Sequence, residues 1–426
     1  MQPTESTAQL GQPHERLTPV IGAQELFPLQ HEGVDFLRAR RFAILGDAPR
    51  VGKTPQTVVA LDHVAPKHVE IVCPANALGI WPQAIEDWSA GLWSYGLRSY
   101  EIAARDGLPE AEHYVFDEGH YLMNPEANRT RALLGKDSPV KRASRIWTLS
   151  GTICPNGYPT EVWTWLRLFG RTKLTWQRFL ERFTQYTTTE HGVRIFGSKN
   201  EEEFRELLAP VFLRRELLSN HGKRWGTLPL VAPDFDIPGS DALADYIRVH
   251  DDLPEEDDQL AHLRLLIGQV KAAPLAEFLY EELKADTHKV AIYAWHTCVL
   301  DILEAKLAPF GVARVDGSVP SGPKRQAQQN RFNDPAGPRV WLAQIRAACE
   351  AIDIASCCNN FVAAEMSWSS GQNDQMFRRL DGPKQTKEVL IRVAHLRGSI
   401  DDPVSRVNLR KARMTGELYS TSALAA

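Results

Sequence analysis

The sequence predicts an α/β protein of two lobes, each a parallel sheet covered by helices on both faces, with a helical insertion between them. Three observations carry that expectation. A short apolar strand, Phe42 to Leu45, runs into the small-residue turn GDAPRVGKT and then into a helical pattern over Thr54 to Asp62. A second apolar strand, Tyr114 to Phe116, ends on two adjacent carboxylates, Asp117 and Glu118. A strand, turn and helix recur from Lys289 to Leu307, and 426 residues exceed what one ordinary core organises.

The elements follow in order. Residues 1–23 are polar and Pro-bearing, a loose lead-in. In the first lobe, residues 24–220, the GKT turn has the chemistry of a phosphate site. Backbone N–H groups at a helix start face an anion, Gly52 permits the tight turn, Lys53 supplies a point charge to the outer phosphates, and the Thr54 hydroxyl holds Mg²⁺. Strict phosphate-loop spacing asks for glycine five residues before Gly52; Asp47 stands there and is retained as a candidate nucleotide contact. Alone, GKT also fits a glycine helix entry with a surface lysine. The carboxylate pair narrows the choice, because Asp117 at a strand end can reach Mg²⁺ through water while Glu118 polarises the attacking water. Helical spacing over Trp163–Phe169, Trp176–Phe183 and Glu201–Leu208 marks the insertion, about 163–220. Residues 221–287 read as a linker, Trp225 to Pro238, then an exposed acidic loop, DDLPEEDDQ, then helices at Leu260–Val270 and Pro274–Lys284. The second lobe spans 288–414, and a tail without motifs closes the chain at 415–426.

From Leu26 to about Arg413 the chain resembles superfamily 2 helicases, and among them the Swi/Snf-type DNA translocase ATPases. LFPLQHEGVDFL resembles the Q motif, which implies that Gln30 reads the adenine edge. IVCPANALGIWPQAIEDW is similar to motif Ia, whose strand-to-turn residues, here Pro74 and Asn76, touch a DNA backbone. DEGHYLMNPEANRTRAL resembles the DEAH box, and SGTICPNGYPTEVWTWLRLF resembles motif III, in which Ser150 and Thr152 couple the ATP site to DNA. FRELLAPVFLRR is similar to a stretch that closes the first lobe in this family. In the second half, KVAIYAWHTCVLDILEAKL resembles motif IV, VDGSVPSGPKRQAQQNRF the element after it, WLAQIRAACEAIDIASCCNNFVAAEMSW motif V and QNDQMFRRLDGPKQ motif VI. The resemblance implies two RecA-like lobes, ATP and Mg²⁺ as cofactors, a ribose contact from Asp353, and an arginine pair, Arg378 and Arg379, with Arg379 reaching the nucleotide from the second lobe. It also implies DNA contacts from His296, Gly317 and Arg346.

Two motifs depart from the family pattern. Cys349 and Ala351 stand where motif V has glycines, so backbone there approaches a ligand less closely. Motif VI offers two arginines three residues apart; the first falls on Arg379 and the second on Gly382. An arginine finger is worth about 10³ to 10⁵ in rate, so turnover depends on Arg378, Arg379 or Lys384 in its place. An ATP-binding, DNA-binding module with little hydrolysis is the alternative that this position keeps open. A third expectation is a strand-separating helicase, for which the sequence displays no wedge element.

Composition restricts the remaining classes. A hydrophobic fraction of 43% and a charged fraction of 24% describe a globular chain without a bilayer-length apolar run. The start MQPTESTAQL lacks a signal peptide's basic and apolar regions, so a cytoplasmic setting, prokaryotic or host, is expected. Cys73, Cys154, Cys298, Cys349, Cys357 and Cys358 show no zinc spacing and read as reduced core residues. With a net charge of −4 there is no global basic field, so duplex or branched DNA must be met by local patches: KRASR at 141–145, Arg214 and Arg215, GKRW at 222–225, and RKAR at 410–413. The expected particle is a monomer without a membrane partner.

Overall fold

The computed structural model describes residues 25–407, apart from 216–222, 233–239, 251–257, 349–353, 381–384 and a few single or paired positions. The expectations for Thr152, Asp353, Gly382, Lys384, the acidic loop tip and both chain ends lie outside the described residues, as does the side chain of Asn76.

The first half contains α1 (Pro28–Arg38), β1 (Phe42–Leu45), α2 (Lys53–Val64), β2 (His68–Cys73), α3 (Ile80–Trp88), β3 (Ser94–Ser99), α4 (Tyr100–Asp106), β4 (His113–Asp117), α5 (Asn128–Leu134) and β5 (Arg145–Leu149). It continues with α6 (Trp163–Leu168), α7 (Trp176–Phe183), β6 (Thr184–Thr189), β7 (Gly192–Ser198), α8 (Glu201–Leu208) and β8 (Phe212–Leu213). Six of these strands form one sheet in the order β3-β2-β4-β5-β1-β8, every neighbouring pair parallel. The inner strands are continuous apolar runs because both faces are covered by helices. Ile44, Phe116, Trp165 and Phe204 pack on one face, and Val58, Ile71, Trp81 and Trp147 on the other.

The second half contains β9 (Lys223–Leu230), α9 (Ser240–His250), α10 (Asp258–Ala285), β10 (Val290–Ala294), α11 (Thr297–Leu307), β11 (Val312–Val315) and α12 (Pro323–Asn333). It ends with β12 (Val340–Gln344), α13 (Ile345–Ala348), β13 (Asn360–Ala363), α14 (Ser370–Phe377) and β14 (Val389–Leu396). Its sheet runs β11-β12-β10-β13-β14-β9, again parallel throughout. The chain therefore has the expected two α/β lobes, each RecA-like in its parallel order.

Three local features differ from the sequence reading. The insertion is not wholly helical: β6 and β7 form an antiparallel hairpin between α7 and α8, built on the Thr-rich run Thr184–Thr189. The stretch read as a linker supplies β9, an edge strand whose register with β14 runs from Lys223↔Val389 to Leu230↔Leu396. Its Pro229 is compatible with an edge, where a missing N–H costs no ladder bond on the open side. The two helices expected around Pro274 are one 28-residue helix, α10. Proline removes one helical bond, but Leu275, Leu279 and Leu283 are buried against the second sheet and hold the helix through it.

Candidate nucleotide site

Parallel order brings the motif-bearing loops to one edge of the first sheet. Register pairs Leu45 with Leu149 and Leu149 with Asp117, so the turns after β1, β5 and β4 emerge side by side. That edge, at strand C-termini, is where open α/β sheets bind ligands.

The turn after β1 is held from several sides. Gly52 enters α2 at φ +86°, a left-handed conformation that favours glycine. A Cβ there would also lie 2.2 Å from Gln30 Nε2. Lys53 Nζ donates to the Asp47 carbonyl at 3.0 Å, and Thr54 follows in the first turn of α2. The Gln30 side chain is buried and spans the turn: its Nε2 donates to the Val51 carbonyl at 2.9 Å, while its Oε1 accepts from Phe27 N–H at 2.9 Å. Gln30 thus fixes the loop and is engaged at both ends of its amide, whereas the sequence reading gave it the adenine edge.

Asp47 differs more. Its side chain is fully buried and faces Arg215, which donates to Oδ1 from its backbone N and from Nε, both at 3.0 Å, and to Oδ2 from Nη2 at 2.5 Å. The carboxylate expected at the nucleotide is an internal anchor of the loop. Gln56 completes the cluster, donating to Asp47 Oδ2 at 3.2 Å and accepting from Arg215 Nη2 at 2.7 Å. Gly33 of α1 leaves room for this cluster, since a Cβ there would lie 1.7 Å from Gln56 Oε1.

The carboxylates at the end of β4 are also placed by specific partners. Trp81 Nε1 donates to Asp117 Oδ2 at 3.0 Å, and Tyr100 OH donates to the Asp117 carbonyl at 2.9 Å. Glu118 adopts φ +53°, turning its side chain out of the strand line. Its carboxylate lies 3.2 Å from His120 Nδ1 and accepts from Ser150 Oγ at 3.3 Å, and Ser150 Oγ is itself 3.0 Å from His120 Nδ1. Burial raises the Glu118 carboxyl, but the His120 hydrogen bond, the nearby charges of His120 and Lys53, and the Ser150 hydroxyl outweigh it and hold the group at about 2. An ionised carboxylate therefore sits within electrostatic reach of the loop lysine.

The structure thus groups Lys53, Glu118, His120 and Ser150, with Asp117 and Thr54 on the adjoining turns. Sequence reading missed Gln56, took Arg214 and Arg215 for a DNA-facing patch, and gave His120 no role beyond closing its motif. Arg214 and Arg215 are neither a DNA patch nor a solvated pair; both are buried, with Arg214 Nη1 at 3.5 Å from the Gly151 carbonyl. The signal was their place immediately after β8, on the same strand-end edge. KRASR leads into β5, of which Arg145 is the first residue, and so lies at the opposite edge, where Arg145 donates to the Arg38 and Arg40 carbonyls.

The remaining candidates follow strand ends in each sheet. Pro74 follows β2 and Asn76 lies in the 3-10 turn after it. On the second sheet His296 follows β10, Gly317 follows β11 and Arg346 follows β12. His296 Nδ1 lies 2.7 Å from Oε1 of the buried Glu365, whose other oxygen accepts the Trp295 and His296 N–H groups at 2.8 and 2.9 Å. The Trp295 ring carries two guanidinium contacts, Arg264 at 4.1 Å and the exposed Arg346 at 4.4 Å. Gly317 N–H donates to Gln344 Oε1 at 3.0 Å. Arg378 and Arg379 form the 3-10 turn that ends α14, with Arg379 buried.

No family model matches the chain. The bovine (Bos taurus) "DNA annealing helicase and endonuclease ZRANB3" is 25% identical over 92% of this chain and 40% of its own length. The Xenopus laevis "SWI/SNF-related matrix-associated actin-dependent regulator of chromatin subfamily A-like protein 1" is 24% identical over 92% of this chain and 44% of its length. "ATP-dependent DNA helicase DDM1" of Arabidopsis thaliana is 23% identical over 88% of this chain and 59% of its length. The chain thus spans less than half of the first two relatives. A solved "Sulfolobus solfataricus SWI2/SNF2 ATPase core in complex with dsDNA" covers 96% of each chain at 16% identity and a TM-score of 0.44.

Two parallel-sheet lobes with a phosphate-type loop and an acidic pair at one strand-end edge define a two-lobed α/β protein with a nucleotide-type site. In the order of its motifs and over about nine-tenths of its length, the chain is similar to these helicases and SWI/SNF-related proteins.

Proposed function

We propose that the chain is a DNA-stimulated ATPase that moves along duplex DNA, remodelling or annealing it without needing to part the strands. The observation that carries the reading is the meeting of Lys53, Glu118, His120 and Ser150 at one sheet edge, with an ionised carboxylate beside the loop lysine. The donor set fits a nucleotide with Mg²⁺: a left-handed glycine at a helix start, an ammonium, a hydroxyl and a strand-end carboxylate. Lys53, Thr54 and Asp117 would hold the phosphates and the metal, and bound Mg²⁺ supplies charge neutralisation on the phosphate oxygens.

The chain's own residues account for the rest of the reading. Glu118, kept ionised by His120 and Ser150, accepts a hydrogen bond from a water and orients it. Trp81 and Tyr100 fix Asp117 so that its carboxylate needs no reorganisation on binding. Arg379 is assigned to the nucleotide from the second lobe, with Arg378 beside it. Pro74, Asn76, Thr152, His296, Gly317 and Arg346 are assigned to the DNA backbone. The Ser150 hydroxyl touches Glu118, so a DNA-induced shift in its loop would be felt at the carboxylate. Relatives named as helicases, one of them an annealing helicase, support DNA as the partner.

The test is the steady-state ATPase rate with and without duplex DNA, alongside Lys53→Ala and Glu118→Gln. Stimulation by DNA that both substitutions abolish is the expected result. Tight ATP binding with no turnover above the two controls would overturn it and leave an ATP-gated DNA-binding module.

A further inference from the structure

We propose that Arg215, acting through Asp47, is the positioning residue of the nucleotide loop; the inference deepens the ATPase reading and rests on it. Lys53 has its ammonium on the Asp47 carbonyl at 3.0 Å, so the lysine's place depends on where Asp47 is held. Arg215 holds it. The guanidinium meets both carboxylate oxygens of Asp47, the bidentate geometry that arginine provides and lysine does not. A second arm runs through Gln56, whose Oε1 accepts from Arg215 at 2.7 Å while its Nε2 donates to the Gly52 carbonyl at 3.1 Å. Arg215 also donates to the Leu29 carbonyl of α1.

The backbone closes the same junction. Ala48 N–H donates to the Arg215 carbonyl at 2.9 Å, and Gly46 N–H to the Leu213 carbonyl at 2.7 Å. Two residues 168 apart in sequence therefore fasten the loop to the strand that ends the first sheet. The pair is buried, Asp47 fully and Arg215 to 7% exposure. A buried bidentate pair fixes direction as well as distance, which is what a loop that must present an ammonium and several N–H groups to phosphate requires.

The experiment uses the full chain and a fluorescent ATP analogue with Mg²⁺, comparing wild type, Lys53→Ala, Arg215→Lys and the double variant Asp47→Asn/Arg215→Met. The double variant removes both charges, so neither is left buried without its partner. The expected result is that both Arg215 variants melt cooperatively yet bind ATP about 10²-fold more weakly than wild type, the scale on which a displaced catalytic geometry is felt. Wild-type affinity in either variant would overturn the proposal, as would failure of Arg215→Lys to fold, since the pair would then serve stability alone. Failure of the wild type to bind the analogue would instead overturn the nucleotide reading itself.

Discussion

His113 lies at the start of β4 with its ring against Trp147, centroids 5.4 Å apart, and it is 1% exposed. Among the described residues, neither ring nitrogen has a hydrogen-bond partner. Burial, reinforced by the Arg145 charge and only partly countered by Glu112, pushes its pKa down from 6.5 to about 4. The folded protein therefore keeps His113 neutral while the unfolded chain protonates it, so stability is full above the unfolded value and falls as pH drops from about 6.5 towards 4. At 1.36 kcal/mol per pH unit, the loss between pH 6.5 and pH 5 is about 2 kcal/mol. His288 works in the opposite sense, because the Glu282 carboxylate 3.3 Å from its Nε2, against some burial and with Asp286 adding to it, raises its pKa and favours the fold at lower pH. A difference measurement separates the two. We predict that His113→Leu matches or exceeds wild type at pH 7.5 and gains about 2 kcal/mol over it at pH 5, read by denaturant unfolding. Parallel stability profiles for the two proteins across that range would refute the assignment.

Three further outcomes follow from the site. Because Glu118 is held at about 2, its charge is constant over any working range, so the acid limb of a rate profile above pH 4 should not shift when Ser150 is replaced by alanine; the kcat of Ser150→Ala is nevertheless expected to fall because water orientation loses one fixed contact. Gly33→Ala places a Cβ against Gln56 and Arg215 and is expected to lower the melting temperature and weaken ATP binding together, with overpacking costs of about 1–3 kcal/mol. Arg346→Ala removes the exposed guanidinium from Trp295 and is predicted to reduce stimulation by duplex DNA and its salt dependence while leaving the DNA-free ATPase rate unchanged.

Much of this was legible in the sequence because buried parallel strands write themselves as short apolar runs. Phe42–Leu45 is such a run and is β1 to the residue, and Tyr114–Phe116 lies inside β4. The helices Trp176–Phe183 and Glu201–Leu208 were likewise read from their apolar spacing. β9 was hidden because Trp225, Gly226 and Pro229 break the alternation that a strand usually shows, and its pairing is set by β14, more than 150 residues later. Arg214 and Arg215 were misread for a related reason. A charge run resembles a solvated face until its partner is known, and here the partner is Asp47, on another strand end. The same remoteness concealed Asp47, which chain spacing alone assigned to the nucleotide.

The strand β9 also decides where the chain can be cut. A fragment beginning at residue 288 would discard it together with α10, leaving β14 with a row of unsatisfied N–H and C=O groups along its full length and the apolar face under Leu275, Leu279 and Leu283 open to water. Such an edge is a template for intermolecular pairing. A fragment beginning near residue 223 keeps the sheet edge and its cover, so soluble expression of the second lobe by itself depends on sixty-odd residues that carry none of its motifs.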